Sequence, residues 1–166
     1  MSIIDKLFLS PGILKDVQIL VVDNDRDSRD LYAFLLEDYG AKVTTLGSIK
    51  DTLEMLNGYI PNLLICEMRF LGESVLPLIQ HIRQLALSSG ITIPILGIST
   101  CSPARLVQQI QTKIAAYLLK PIDSDDLVYE VWNLIRLPRI IYLPSIQDYE
   151  MEQKTDKILP CVTEVI

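Results

Sequence analysis

A chain of 166 residues that is 49% apolar is long enough for one domain with a proper core, too short for two ordinary ones, and too apolar to be disordered. Its net charge of −6, with no local basic block, argues against contact with a nucleic-acid backbone, and no apolar run approaches the roughly 20 residues that cross a bilayer. Cys66, Cys101 and Cys161 make neither an even disulfide set nor a metal-ligating spacing, and the N-terminus carries charges where a secretory signal would be apolar, so a cytoplasmic protein with reduced thiols is expected.

In chain order the segments alternate. Residues 17–22 form a β-rich run that ends in acids, LVVDNDRD. From 25 to 39 the apolar residues Leu31, Phe34, Leu35 and Tyr39 recur at helical spacing until Gly40. A short strand is expected at 42–45, a helix over 49–57 closed by Gly58, and a buried strand at 62–66 after Pro61. A helix over 73–87 runs into Ser88-Ser89-Gly90, and IPILGIST at 93–100 is the fourth strand. A short helix over 103–112, a strand in AAYLLKP ending at Lys120, and a helix to 137 opened by acids at 123–126 complete the pattern.

Strands apolar on both faces, alternating with helices, predict an α/β fold: a doubly wound, five-stranded parallel sheet with five helices and right-handed crossovers. Ligand sites of such sheets lie beyond the carboxyl ends of the strands, where the strand order reverses. Asp23, Asn24, Asp25, Glu67, Ser99 and Lys120 all fall at those ends, so one edge of the sheet gathers them. Residues 1–16 read as an N-terminal extension, 17–137 as the domain, and 138–166, with three prolines from Pro138 onward and no sustained period, as a tail without an effector domain.

These motifs resemble the receiver domain of response regulators, the CheY-like fold, over residues 15–137. ILVVDNDRDSRDL matches the family's first strand, PNLLICEMRFLG its third, IPILGIST its fourth and AAYLLKPID its fifth. The resemblance implies two-component phosphorelay signalling. It places Asp23 and Asn24 at the acidic pair, Glu67 at the phosphoacceptor position, Ser99 at the switch hydroxyl, Tyr117 at the switch aromatic and Lys120 at the family's lysine.

Two positions depart from that pattern. Asn24 removes a charge from the magnesium cage, so a metal held through Asp23, Glu67 and the Arg69 carbonyl would be weak or absent. Glu67 reaches about 1.5 Å further than aspartate, into the space that metal and phosphoryl group would share, and in-line attack depends on positioning. The same reach lets Glu67 pair with Lys120 or accept from Ser99, as a built-in mimic of a bound phosphoryl group. Leu71, before Gly72, stands where the family commonly has proline.

Plainer roles compete for several of these residues. Asp25 suits a helix cap, Lys120 an ion pair with Glu67 or Asp23, His81 a boundary position, and of Tyr129 and Trp132 one is expected in the core. The leading expectation is an atypical single-domain receiver, not an enzyme, without cofactor, acting through contact with a histidine kinase or output protein. The contact face implied by the family is 101–137, with Leu106, Val107, Tyr117, Val128 and Trp132, and the same face serves for a homodimer. One alternative is a phosphorelay receiver modified at a nonstandard carboxylate. Another comes from VVDND, which also resembles the nucleophile motif of haloacid-dehalogenase-type phosphohydrolases, with Asp23 attacking and Asp25 as acid and base.

Overall fold

The computed structural model describes residues 9–101 and 108–136. Five strands, β1 (Gln18–Val22), β2 (Lys42–Leu46), β3 (Leu63–Glu67), β4 (Ile95–Ser99) and β5 (Ala116–Leu119), form one sheet in the order β2-β1-β3-β4-β5. Every pairing is parallel. Four full helices, α1 (Arg26–Asp38), α2 (Ile49–Met55), α3 (Leu76–Ser89) and α5 (Ser124–Arg136), connect or follow the strands. Of the helix expected over 103–112 only α4 (Gln108–Gln111) is described, and residues 102–107 lie outside the described residues.

The strands carry apolar side chains on both faces because both faces are covered. Leu20, Val22, Leu64, Cys66 and Ile95 pack with Ile49 and Leu56 of the α2 region and Leu78, Ile79 and Ile82 of α3. Their neighbours of opposite parity, Ile19, Val21, Leu63, Ile65, Leu96 and Ile98, pack with Tyr32 and Leu36 of α1 and Leu127, Val128 and Val131 of α5. Leu14, within the expected N-terminal extension, is fully buried in this second layer, and its amide donates to the Tyr39 carbonyl at 3.0 Å. The described part of that extension therefore closes the end of α1.

The apolar stripe of α1 differs from the sequence expectation. Leu31 and Phe34 are exposed, whereas Tyr32 and Leu36 are buried. The run LYAFLL is apolar around most of the helix, so its period does not single out the inner face, and packing against β1 and β2 decides. The expected contact face over 101–137 changes likewise: Val128 is 1% exposed and belongs to the core, and Tyr117 packs inward against the α2–α3 layer. Leu106 and Val107 lie outside the described residues. No described helix is long and apolar enough to cross a membrane.

Candidate functional site

β1 and β3 are adjacent, with Val22 level with Cys66, so Asp23 and Glu67 stand side by side where the strand order reverses. Both acids share the parity that faces α1 and α5, and both are buried, at 1% and 5% exposure. Their carboxylates are bonded in the same way. One oxygen of each accepts from the amide two residues on: Asp25 N to Asp23 Oδ1 at 2.8 Å, and Arg69 N to Glu67 Oε1 at 2.9 Å. The other oxygen of each meets Lys120, whose Nζ lies 2.8 Å from Asp23 Oδ2 and 3.0 Å from Glu67 Oε2.

Lys120 reaches this point because β5 ends at Leu119, giving it the same parity as Ala116 and Leu118 of the α1–α5 layer. Burial by itself would lower the lysine pKa. The hydrogen bonds to Asp23 and Glu67 outweigh that and hold it well above its ordinary value, so the group stays an ammonium. Among the described residues no buried side-chain polar atom lacks a partner. The charges at this edge are thus compensated from within the chain.

α1 adds three residues that the sequence did not single out. Ser28 Oγ donates to Asp25 Oδ2 at 2.6 Å and lies 3.4 Å from Lys120 Nζ. Arg29 Nη1 donates to the Asp23 carbonyl at 2.6 Å, holding the turn after β1. Tyr32 is buried on the inner face of α1, and burial pushes its phenol up against the opposing pull of Lys120. Asp25 is the N-cap of α1, accepting from Ser28 N at 3.1 Å, and these Ser28 bonds hold its carboxyl below the usual range. The D-x-x-S spacing was the available signal for Ser28. Arg29 and Tyr32 carry no such signal.

Ser99 and Tyr117 have the opposite strand parity and belong to the other layer. Cys101 N donates to Ser99 Oγ at 3.4 Å, and the Tyr117 hydroxyl donates to the Cys101 carbonyl at 2.6 Å. Gly97 makes room for that ring: a Cβ there would lie 3.0 Å from Tyr117 Cδ2 and 3.2 Å from Met68 Cγ. Arg69 Nη1 approaches Cys101 Sγ at 3.4 Å, so the loop after β3 also touches the loop after β4. Glu73, beyond Gly72, accepts from Ile49 N at 3.1 Å and fixes the far side of its loop to the start of α2.

The donor set does not fit a magnesium ion. That cation requires near-octahedral oxygen ligation, usually from one or two carboxylates with waters. Here both oxygens of Asp23 and both of Glu67 already accept from nitrogen donors, the ammonium stands between the two carboxylates, and Asn24 at the exposed rim is neutral. Among the described residues no group of three or more acidic, histidine or cysteine side chains is arranged to hold a metal.

Comparison with known proteins agrees with this architecture. The chain matches the response regulator receiver domain over residues 19–131. It is 34% identical over 116 residues to an uncharacterized 14.6 kDa protein of Leptolyngbya boryana, covering 69% of this chain and 87% of that one. It is 31% identical over 106 residues to the Regulator of RpoS of Escherichia coli, covering 63% of this chain but only 30% of that protein's length. Among solved structures, a CheY-like receiver domain from Methylobacillus flagellatus superposes with a TM-score of 0.63 at 22% identity, covering 72% of this chain and 99% of that one. A two-component response regulator from Clostridium difficile gives 0.64 at 19% identity, covering 73% and 97%. With the parallel sheet, its acid-terminated strands and the lysine at the end of β5, these matches establish that the chain belongs to the response regulator receiver family.

Proposed function

We propose that this chain is an atypical receiver whose switch is set by its own side chains, and that it signals through protein contact without a phosphorylation cycle. The observation that carries this reading is the double bridge of Lys120 to Asp23 and Glu67 at 2.8 and 3.0 Å. Glu67, at the phosphoacceptor position, gives one oxygen to the lysine and the other to the Arg69 amide. Each oxygen of that carboxylate is already held by a nitrogen donor, which disfavours in-line attack, and among the described residues no group of three metal-ligating side chains stands beside it to offset the charge of an incoming phosphoryl group. In this reading Asp23 and Lys120 hold Glu67, Ser28 and Arg29 hold the turn after β1, and Ser99 and Tyr117 hold the backbone of Cys101. The partner is a histidine kinase or an output protein of a two-component pathway. The phosphohydrolase reading needs Asp25 as acid and base, and Asp25 here caps α1, which favours the receiver reading over it.

The test is intact-mass measurement after incubation with magnesium and acetyl phosphate, on the wild type and on Glu67→Asp. The expected result is an unmodified wild type and a variant that gains one phosphoryl group, because the shorter side chain withdraws from Lys120 and opens the site. Modification of the wild type would overturn the reading. Mapping the modified residue would then separate a receiver using a nonstandard carboxylate from an enzyme trapped in mid-cycle.

A further inference from the structure

From residue 74 to residue 122 the sequence has no Asp or Glu, although the chain carries 21 of them and a net charge of −6. The fold wraps part of this acid-free stretch around a cleft of about 360 Å³ at the amino edge of the sheet, opposite the end where Asp23 and Glu67 lie. The second half of α3, the loop before β4 and the loop before β5 line it, so no acid stands in its wall. Ile93, Ile95 and Ile114 give it an aliphatic interior, and Leu87 and Ile91, 42% and 41% exposed, leave apolar surface open to solvent at its mouth. Arg83 and Lys113 complete the lining. Both already interact with other groups of the chain, and what they give the cleft is the sign of its field.

We propose that this cleft binds a small aliphatic carboxylate, with the hydrocarbon chain against the isoleucines and the carboxylate toward Arg83 and Lys113. An apolar wall with a few charged groups of one sign suits an amphipathic ligand of the opposite sign. The size is right for a short chain: about 360 Å³ admits roughly a dozen heavy atoms at about 30 Å³ each. No aromatic ring lines the cleft to stack on a planar ligand, which favours a flexible chain over a nucleobase or other flat ring. A second copy meeting the same surface would set cations against cations, which disfavours it. The walls are held by main-chain bonds, from Ile91 N to the Ala86 carbonyl at 3.1 Å and from Ala115 N to the Ile95 carbonyl at 2.8 Å, so the cleft is formed before a ligand arrives. The inference is independent of the role of Glu67, which lies at the other end of the sheet.

The experiment titrates the full-length, isotope-labelled chain at neutral pH with octanoate, octanol and octylammonium, and follows the amide NMR spectrum. The expected result is saturable octanoate binding that shifts the amides of residues 86–95 and 112–115, about tenfold tighter than octanol, with no binding of octylammonium. In an Arg83→Gln/Lys113→Gln variant octanoate falls about tenfold, to the level of octanol, while the spectrum stays that of a folded chain. Ala86→Phe, which fills the cleft from α3, abolishes binding of both. Should either variant fail to fold, the order of the three probes on the wild type still decides. Equal binding of the three, shifts only outside the cleft, no saturable shift, or octanoate affinity unchanged in a folded variant would each overturn the proposal.

Discussion

At the carboxyl edge of the sheet charged side chains are buried, whereas on the outer face of α1 a phenylalanine is 70% exposed. The two regions are exceptions to the same inside–outside rule, in opposite directions. Every buried charge at the edge has its partner within the chain: Asp23 and Glu67 each have an amide and an ammonium, and Lys120 has both acids. Among the described residues the apolar pair on α1 has an acidic margin around it. An exception closed by the protein's own groups sets a conformation, and one left open is a surface for something else to cover.

Removing the closing charge breaks the comparison most directly. Lys120→Met leaves two buried carboxylates facing each other and is expected to cost about 2–4 kcal/mol in urea unfolding, less than for a fully enclosed pair because the lysine keeps 18% side-chain exposure. The pH dependence follows from its raised pKa. A lysine held above its unfolded value contributes fully below that value, about 10.4, and loses the contribution as pH rises through the folded one. The advantage of the wild type over Lys120→Met should therefore stay level through neutral pH and shrink above about pH 10.4. Unfolding midpoints across that range check the sign.

Gly97→Val tests the opposite layer. Its new carbons meet Tyr117 and Met68, and a loss of about 2 kcal/mol with a changed tyrosine fluorescence is expected. Glu67→Gln keeps the shape of the bridge but removes one charge. A loss of about 1–2 kcal/mol is expected, because the amide oxygen can accept from either Arg69 N or Lys120 but its NH2 then faces the other donor, while Lys120 retains Asp23. Phe34→Ser removes a large ring from an exposed position and is expected to change stability by less than about 1 kcal/mol. A loss as large as that from a core phenylalanine would place Phe34 among the structural residues and erase the contrast with the edge.

Much of the fold was legible because parallel strands are short, apolar on both faces and punctuated by Gly, Pro and acids. β1 through β5 each lie within about a residue or two of their expected limits. The gathering of Asp23, Glu67 and Lys120 was legible too, since a parallel sheet brings its carboxyl ends to one edge. The inner face of α1 was not: Leu31 and Phe34 have the same composition signal as Tyr32 and Leu36, and only tertiary packing separates them. Nor was the split of the site, with Ser99 and Tyr117 in one layer and the ion pairs in the other, although strand parity contains it. Arg29 was beyond reach because a guanidinium bonded to a main-chain carbonyl leaves no pattern in sequence.

Lys120 lies 97 positions after Asp23, so the first strand and the last are joined by a contact that only the nearly complete domain can make. A chain emerging from the ribosome presents two acids on neighbouring strands well before the lysine that neutralises them. Without β5 the neighbouring acids at the ends of β1 and β3 lack the ammonium that compensates them, and closing so long a loop carries an entropic cost. The charges at the carboxyl edge of the sheet are therefore compensated only when its final strand is in place.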